Sequence, residues 1–166
     1  MTDKFHLLSD HARVWIYAAS DSIFPDQATT IQHKLDAFTS SWTSHQNQLL
    51  ASAQLLHNHF VVFMVDESEH EVSGCGIDKS VGVVRELVEM TSIDFFNRLS
   101  IYLYVNGNVE KTSKQGIAEK LNQGLIDENT LYFDNLVSDK KSFLQSWLKP
   151  IRESWFFPLL ISTQQS

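Results

Sequence analysis

At 166 residues, 43% hydrophobic and 20% charged, the chain has the length and composition of one globular domain with its own core. Its net charge of −7 argues against the positive surface that non-specific nucleic-acid binding needs. One cysteine excludes an internal disulfide and a cysteine-based zinc cluster, and no apolar run approaches the ~20 residues of a membrane helix.

In chain order, residues 1–10 lack a basic start followed by an apolar run, so no signal peptide is expected and the cytoplasm is the expected compartment. Arg13-Val14-Trp15-Ile16-Tyr17 reads as a strand, apolar on both faces. Residues 26–42 read as a helix, because Ile31, Leu35, Phe38 and Trp42 recur on one helical face. Pro25 suits its first turn and Asp26 its positive end. A strand over 50–56 and a tight turn at His57-Asn58-His59 lead into Phe60-Val61-Val62-Phe63-Met64-Val65. Six apolar residues in a row predict a strand buried on both faces, since a strand with one wet face would alternate. A long acidic loop follows over 67–77, and Asp78 is placed to cap a helix over 79–91 with Val81, Val84, Leu87 and Val88 inward.

Ile93-Asp94-Phe95-Phe96-Asn97-Arg98 reads as a connection, and 100–105 as a strand. Asn106-Gly107 is a two-residue hairpin signal, with 109–112 the return strand. A short helix over 114–123 turns Ile117 and Leu121 inward, with Gly124 just past its end. Residues 131–133 read as a short strand. Asp139 caps a helix over 140–148 with Phe143, Leu144 and Trp147 inward, and Pro150 stops it. Residues 162–166 are polar and expected to fray.

The order β-α-β-β-α-β is the ferredoxin-like pattern of an α+β fold. It predicts a single domain over 1–166, with a core over 12–112. The antiparallel sheet would run 50–56, 60–65, 13–17, 100–105, 109–112, the last being an added hairpin strand. Both long helices would lie on one face, and a C-terminal helical extension over 113–166 would cover the other.

Arg13-Val14-Trp15-Ile16-Tyr17, Ser73-Gly74-Cys75 with Ile77-Asp78 and Ser80-Val81, Ile93-Asp94-Phe95-Phe96-Asn97-Arg98, Asn135-Leu136-Val137 and Glu153-Ser154-Trp155 together resemble an uncharacterised bacterial family of similar length. The resemblance spans nearly the whole chain. Members are often labelled ABC transporter ATPase, but the resemblance transfers no catalytic residues and implies no cofactor. A P-loop needs G-x-x-x-x-G-K-[ST], whose backbone N–H groups and lysine hold the phosphates. The nearest string, Gly74-Cys75-Gly76-Ile77-Asp78-Lys79-Ser80, has an aspartate where the second glycine belongs, and a carboxylate there repels phosphate.

Several residue sets could carry chemistry. Cys75 precedes the expected helix start, where the dipole favours a thiolate nucleophile; Asp66, Glu67, Glu69, Glu71 and Asp78 oppose one, and a buried cysteine is often simply a small apolar residue. Cys75, Asp78, Ser80 and Arg13 could together line an enzyme pocket. Arg13, at the start of the first strand, is expected beside Asp66 or Asp78, and in a buried pair the loss of one partner would cost several kcal/mol. His57, His59 and His70 are the metal-ligand candidates, set against a solvated loop. Asp94, Asn97 and Arg98 flank Phe95-Phe96, a polar ligand cluster or a turn whose aromatics plug the sheet end. Trp155, Phe156 and Phe157 are three consecutive large residues that cannot all point one way, so at least one should be exposed as an interface residue.

Three function classes follow. The first is a non-enzymatic binding or interaction protein, a homodimer or a partner-bound chain contacting through the covering tail, residues 150–161 in particular, or through the acidic loop. The second is a small enzyme with a pocket around Cys75, Asp78 and Arg13. The third is the ATPase of the family label.

Overall fold

Phe60–Asp66 (β5) is buried at every position, and the first half of the architecture forms around it. The computed structural model describes residues 4–164, with side chains as far as residue 160. The chain divides into two compact units, Met1–Asn97 with Asn135–Leu144, and Arg98–Asp134 with Gln145–Ser166. Residues 135–144, part of the stretch read as an extension, thus belong with the first unit, and the strands at 101–112 belong with the second.

In the first unit, β1 (Arg13–Ala18) and β4 (Leu50–Leu56) pair antiparallel with either side of β5, so the sheet order is β1-β5-β4. Trp15 and Ala53 both stand opposite Phe63, which sets Trp15, Tyr17, Ala53, Leu55, Val61, Phe63 and Val65 on one face by strand alternation. Helices α1 (Pro25–Ser41) and α2 (Gly74–Thr91) bury Ile31, Leu35, Val83, Val84 and Leu87 in that same core. Both long helices thus cover one face, as the element order predicts. Pro25 occupies the first helical turn of α1, where its missing N–H costs nothing. The opposite face is as apolar: Val14, Ile16, Phe60, Val62 and Met64 are all buried.

The predicted five-stranded order is not the one formed. Residues 101–105 do not join β1; the outer side of β1 is met by the returning segment, through an isolated bridge of Arg13 with Asp139 and a Val14 N–H bond to the Ser138 carbonyl (3.0 Å). The α+β class stands, while the ferredoxin-like pairing of the first strand with the strand after the second helix is absent from the described sheets. The reason is local. Strand β6 (Ile101–Val105) finds β7 (Asn108–Thr112) across a two-residue turn and β8 (Leu131–Phe133) on its other side, and β8 pairs with β9 (Leu148–Pro150). The result is a separate sheet, β7-β6-β8-β9. Asn106 and Gly107 carry φ of 52° and 78°, the left-handed pair that a type I′ turn requires.

This second unit has its own core of Leu103, Ile117, Tyr132, Ile151, Phe156 and Leu160. Helix α3 (Lys114–Asn122) is capped by Ser113, whose hydroxyl accepts the Gly116 N–H. Asp139 starts helix α4 (Lys140–Ser146), accepting the Ser142 N–H at 2.7 Å. This helix ends two residues before the predicted 148, because Leu148–Pro150 is drawn into β9. Phe143 and Trp147 are buried as expected; Leu144 is 61% exposed, against expectation. Its place on the helix is one step, about 100°, from Phe143 and cannot share its face. The last helix, α5 (Phe157–Gln164), runs over most of the stretch expected to fray; residues 165–166 lie outside the described residues.

Two features are not legible as elements in the sequence. Residues Thr43–Ser44 (β2) and Asn47–Gln48 (β3) form a small hairpin across His45 and Gln46, both left-handed and neither a glycine. Helix α2 begins at Gly74, not 79. Its cap is Ser73, whose hydroxyl accepts the Gly76 N–H at 3.1 Å, and Asp78 lies within the helix. The buried positions Gly76, Ser80, Val83, Val84 and Leu87 form one helical stripe. Its first two members are small, so a reading built on large apolar residues starts the helix too late. Gly76 is small for a reason: a Cβ there would lie 3.0 Å from Val72 Cγ2 and 3.6 Å from Trp42 Nε1.

Candidate functional site

The acidic turn after β5, the start of α2 and the 42–48 hairpin converge in the first unit. Asp66 ends β5 and is only 5% exposed. Its carboxylate accepts the Ser9 N–H (2.8 Å), the Ser68 N–H (3.0 Å) and the Ser68 hydroxyl. Burial pushes this carboxyl up, but the hydrogen bonds from Ser68 and Ser9 outweigh burial and hold it below the ordinary carboxylate value. Asp66 is therefore a staple that pins the N-terminal segment to the end of the central strand. A carboxyl lowered in the folded state stabilises the fold above its unfolded value of about 3.9, and that stability is lost as pH falls through the folded value. The wild type should consequently lose thermal stability more steeply than Asp66→Asn as the pH is lowered below about 4. Parallel acid melting curves for the two proteins would refute the staple.

Arg13 does meet an acid of this turn, but neither Asp66 nor Asp78. Its Nε lies 3.4 Å from Glu67 Oε1, with side-chain exposures of 44% and 23%, and its guanidinium stands 4.9 Å above the Trp15 ring. At that exposure the pair is screened and contributes about 0–1 kcal/mol, not the several expected of a buried pair. The register explains the partner: Arg13 stands opposite Val65, and Glu67 is the next residue whose side chain falls on that face. Glu67 Oε2 accepts the Val72 N–H at 2.9 Å and closes the turn on itself.

Of the four proposed pocket residues, Cys75 and Asp78 lie on the exposed side of α2 while Ser80 turns into its buried stripe. Cys75 is exposed in the first turn of α2, and Asp78 is exposed further along it. Ser80 is buried and donates its hydroxyl to the Ile77 carbonyl at 2.6 Å. Five residues separate Cys75 from Ser80, about 140° around the helix. What holds this corner together is Trp42, whose Nε1–H donates to the Gly76 carbonyl at 2.9 Å, while the Ser73 N–H donates to the Ser44 hydroxyl at 3.0 Å.

The histidines separate as well. His57 and Asn58 take left-handed conformations in the β4–β5 turn, where burial lowers the His57 pKa; His59 is buried. His70 lies in the turn at the far end of β5, roughly 20 Å away at strand rise. Among the described residues no three His, Cys, Asp or Glu side chains are grouped to hold a metal ion. In the 93–98 connection, Phe95 is buried in the core and the Phe96 ring stands edge-on to Tyr17 at 5.8 Å. The Asp94 carboxylate accepts the Phe96 N–H at 2.8 Å. The Asp94 bond closes a turn in which Phe95 plugs the sheet end, while Phe96 stays partly exposed.

In the second unit, Trp155, Phe156 and Phe157 divide. Phe156 is fully buried, edge-on to Tyr132 at 5.1 Å. It is a core residue, not the interface residue expected, because its neighbours Ile151 and Leu160 turn the same way. Trp155 is 58% exposed, with Lys114 Nζ 5.6 Å over its ring. Phe157 is half-buried. The pair of β8 and β9 is tied by Lys149 Nζ to Asp134 at 2.9 Å, a hydrogen bond that raises the lysine above its usual value. An open groove of about 430 Å³ runs beside the end of β6, lined by Tyr104, Asn106, Leu125 and Asp127 among others.

Comparison with protein-family models, with curated proteins and with solved structures finds no match to this chain. Among the described residues no helix is long and apolar enough to cross a membrane.

Proposed function

We propose that this is a cytoplasmic, non-enzymatic interaction protein of the bacterial family it resembles, contacting a second copy of itself through the C-terminal segment around Trp155. The observation that carries this reading is the exposed Trp155 ring beside a fully buried Phe156. Leu159, four residues on, is 48% exposed, so the segment buries Phe156 and Leu160 and offers a second, outward apolar pair. Aromatics are favoured in interface cores. Charge supports the location: the whole net charge of −7 lies in the first unit, and the second holds as many Lys and Arg as Asp and Glu, so self-association there meets little repulsion.

The test is mass in solution, by light scattering or sedimentation. The wild type is expected to be a dimer and Trp155→Ser a folded monomer. A monomeric wild type, or a Trp155→Ser protein of unchanged mass, overturns the reading.

The enzyme reading has one supporting observation, an exposed Cys75 in the first turn of a helix. The rate at which native Cys75 reacts with a thiol reagent at neutral pH, measured against free cysteine, decides this reading, and a rate no faster than free cysteine is expected. A faster rate would restore Cys75 as a nucleophile.

A further inference from the structure

Strand β4 is an edge of its sheet and carries none of the usual protection. Leu-Ala-Ser-Ala-Gln-Leu-Leu has no charge, no proline and no glycine. Such an edge is a template for pairing with another chain. The edge strand β7 of the second sheet, by contrast, carries Glu110 and Lys111.

The protection of β4 comes from α1. The Gln32 side-chain amide donates from Nε2 to the Ala53 carbonyl at 3.0 Å, and its Oε1 accepts the Leu55 N–H at 2.9 Å. These are two backbone groups on the side of β4 away from β5, the ones a neighbouring strand would take. The second Nε2 hydrogen goes to Asp36 Oδ1 at 3.0 Å, and Asp36 is itself met by Lys4 Nζ at 3.4 Å. Three of the amide's four bonding positions are filled, and the side chain is tethered from behind. The reverse amide orientation would set N–H against N–H, so the assignment is unambiguous.

We propose that Gln32 is an edge guard, and that the β4 edge it occupies is a pairing surface for a second copy of this chain. The outward backbone groups of Ala51, Ala53 and Leu55 recur every second residue. An antiparallel two-fold pairing with Ala53 opposite its counterpart therefore sets Ala51 opposite Leu55 and satisfies all three. The strand itself carries no charge, but Ala53 and Leu55 are buried while Gln32 is in place, and pairing here works against the first unit's net charge of −7, so the edge opens to a second copy only when the guard is removed. An open groove of about 370 Å³, lined by Thr29, Gln32, His33, Asp36, Leu55 and Asn58 among others, adjoins this contact, so the outer side of the guard is not filled by the fold. The anchor through Asp36 keeps the guard in place and the edge closed.

The experiment uses the full chain with Trp155→Ser as parent, which separates this edge from the contact proposed above. Adding Gln32→Ala should double the mass relative to that parent in sedimentation at micromolar to millimolar concentration. Adding Ala51→Pro, which removes an outward N–H without touching the β4–β5 ladder, should return the mass to the parent's. An unchanged mass in the folded Gln32→Ala protein, or a doubling that survives Ala51→Pro, overturns the proposal. Should Gln32→Ala fail to fold, amide exchange in the unmodified protein decides: the Leu55 N–H should exchange at least about tenfold more slowly than the Ala51 N–H if Gln32 holds it, and equal rates refute the guard.

Discussion

Phe156→Ala should cost the second unit about 3–5 kcal/mol, the range for removing a large aromatic side chain from a packed core. Its ring is fully buried and packs among Leu103, Ile117, Tyr132, Ile151 and Leu160. The edge-on contact with Tyr132 contributes about 0.5–1.5 kcal/mol beyond the buried area. That core is small, so little is available to close over the cavity. Trp155→Ala removes a larger ring but one that is mostly exposed. Its loss should be about 1 kcal/mol or less, essentially its contact with Lys114. Chemical denaturation of the two variants, read at low protein concentration so that assembly does not contribute, checks the order. Were Trp155→Ala the more damaging, the division between core and contact surface would be reversed.

The second large effect is expected at Trp42. The residue follows α1, is buried, and meets Phe38 at 4.8 Å, Phe63 at 6.1 Å and Trp15 at 6.4 Å. Its Nε1–H also reaches the Gly76 carbonyl, so one side chain joins the hairpin, the sheet and the first turn of α2. Trp42→Ala should lose about 3–5 kcal/mol. Trp42→Phe keeps most of the aromatic contact and gives up the hydrogen bond, which contributes about 0.5–1.5 kcal/mol net, together with the smaller ring's lost packing. The expected pattern in a denaturant titration is thus a mild Phe variant and a severe Ala variant. Equal losses would mean that the hydrogen bond, not the ring packing, anchors this corner.

Elements whose evidence is local are legible in the amino-acid sequence. The unbroken apolar run at 60–65 predicts a strand buried on both faces, and β5 is one. The spacing of Ile31 and Leu35 sets the inward face of α1, and Asn106-Gly107 sets the β6–β7 turn. Periodicity and turn chemistry act over a few residues, so they can be read from a few residues. The distribution of Trp155 and Phe156 is half legible: three consecutive bulky residues require a split, but nothing in their order says which one is buried.

What only the tertiary structure decided is pairing and partnership. Strand edges carry the same N–H and C=O groups whatever their sequence, so the pattern at 100–112 could not reveal that β6 joins β8 rather than β1. Ser73 displaced Asp78 as the cap because the buried stripe of α2 starts at Gly76, which is small where the helix meets Trp42, a constraint from a residue more than thirty positions earlier. Arg13 found Glu67 rather than Asp66 because it stands opposite Val65, and Glu67 falls on that face of the sheet where Asp66 does not. Gln32 had no sequence signal at all: a polar residue in a helix acquires its role only when the fold brings the open edge of β4 within reach of its amide.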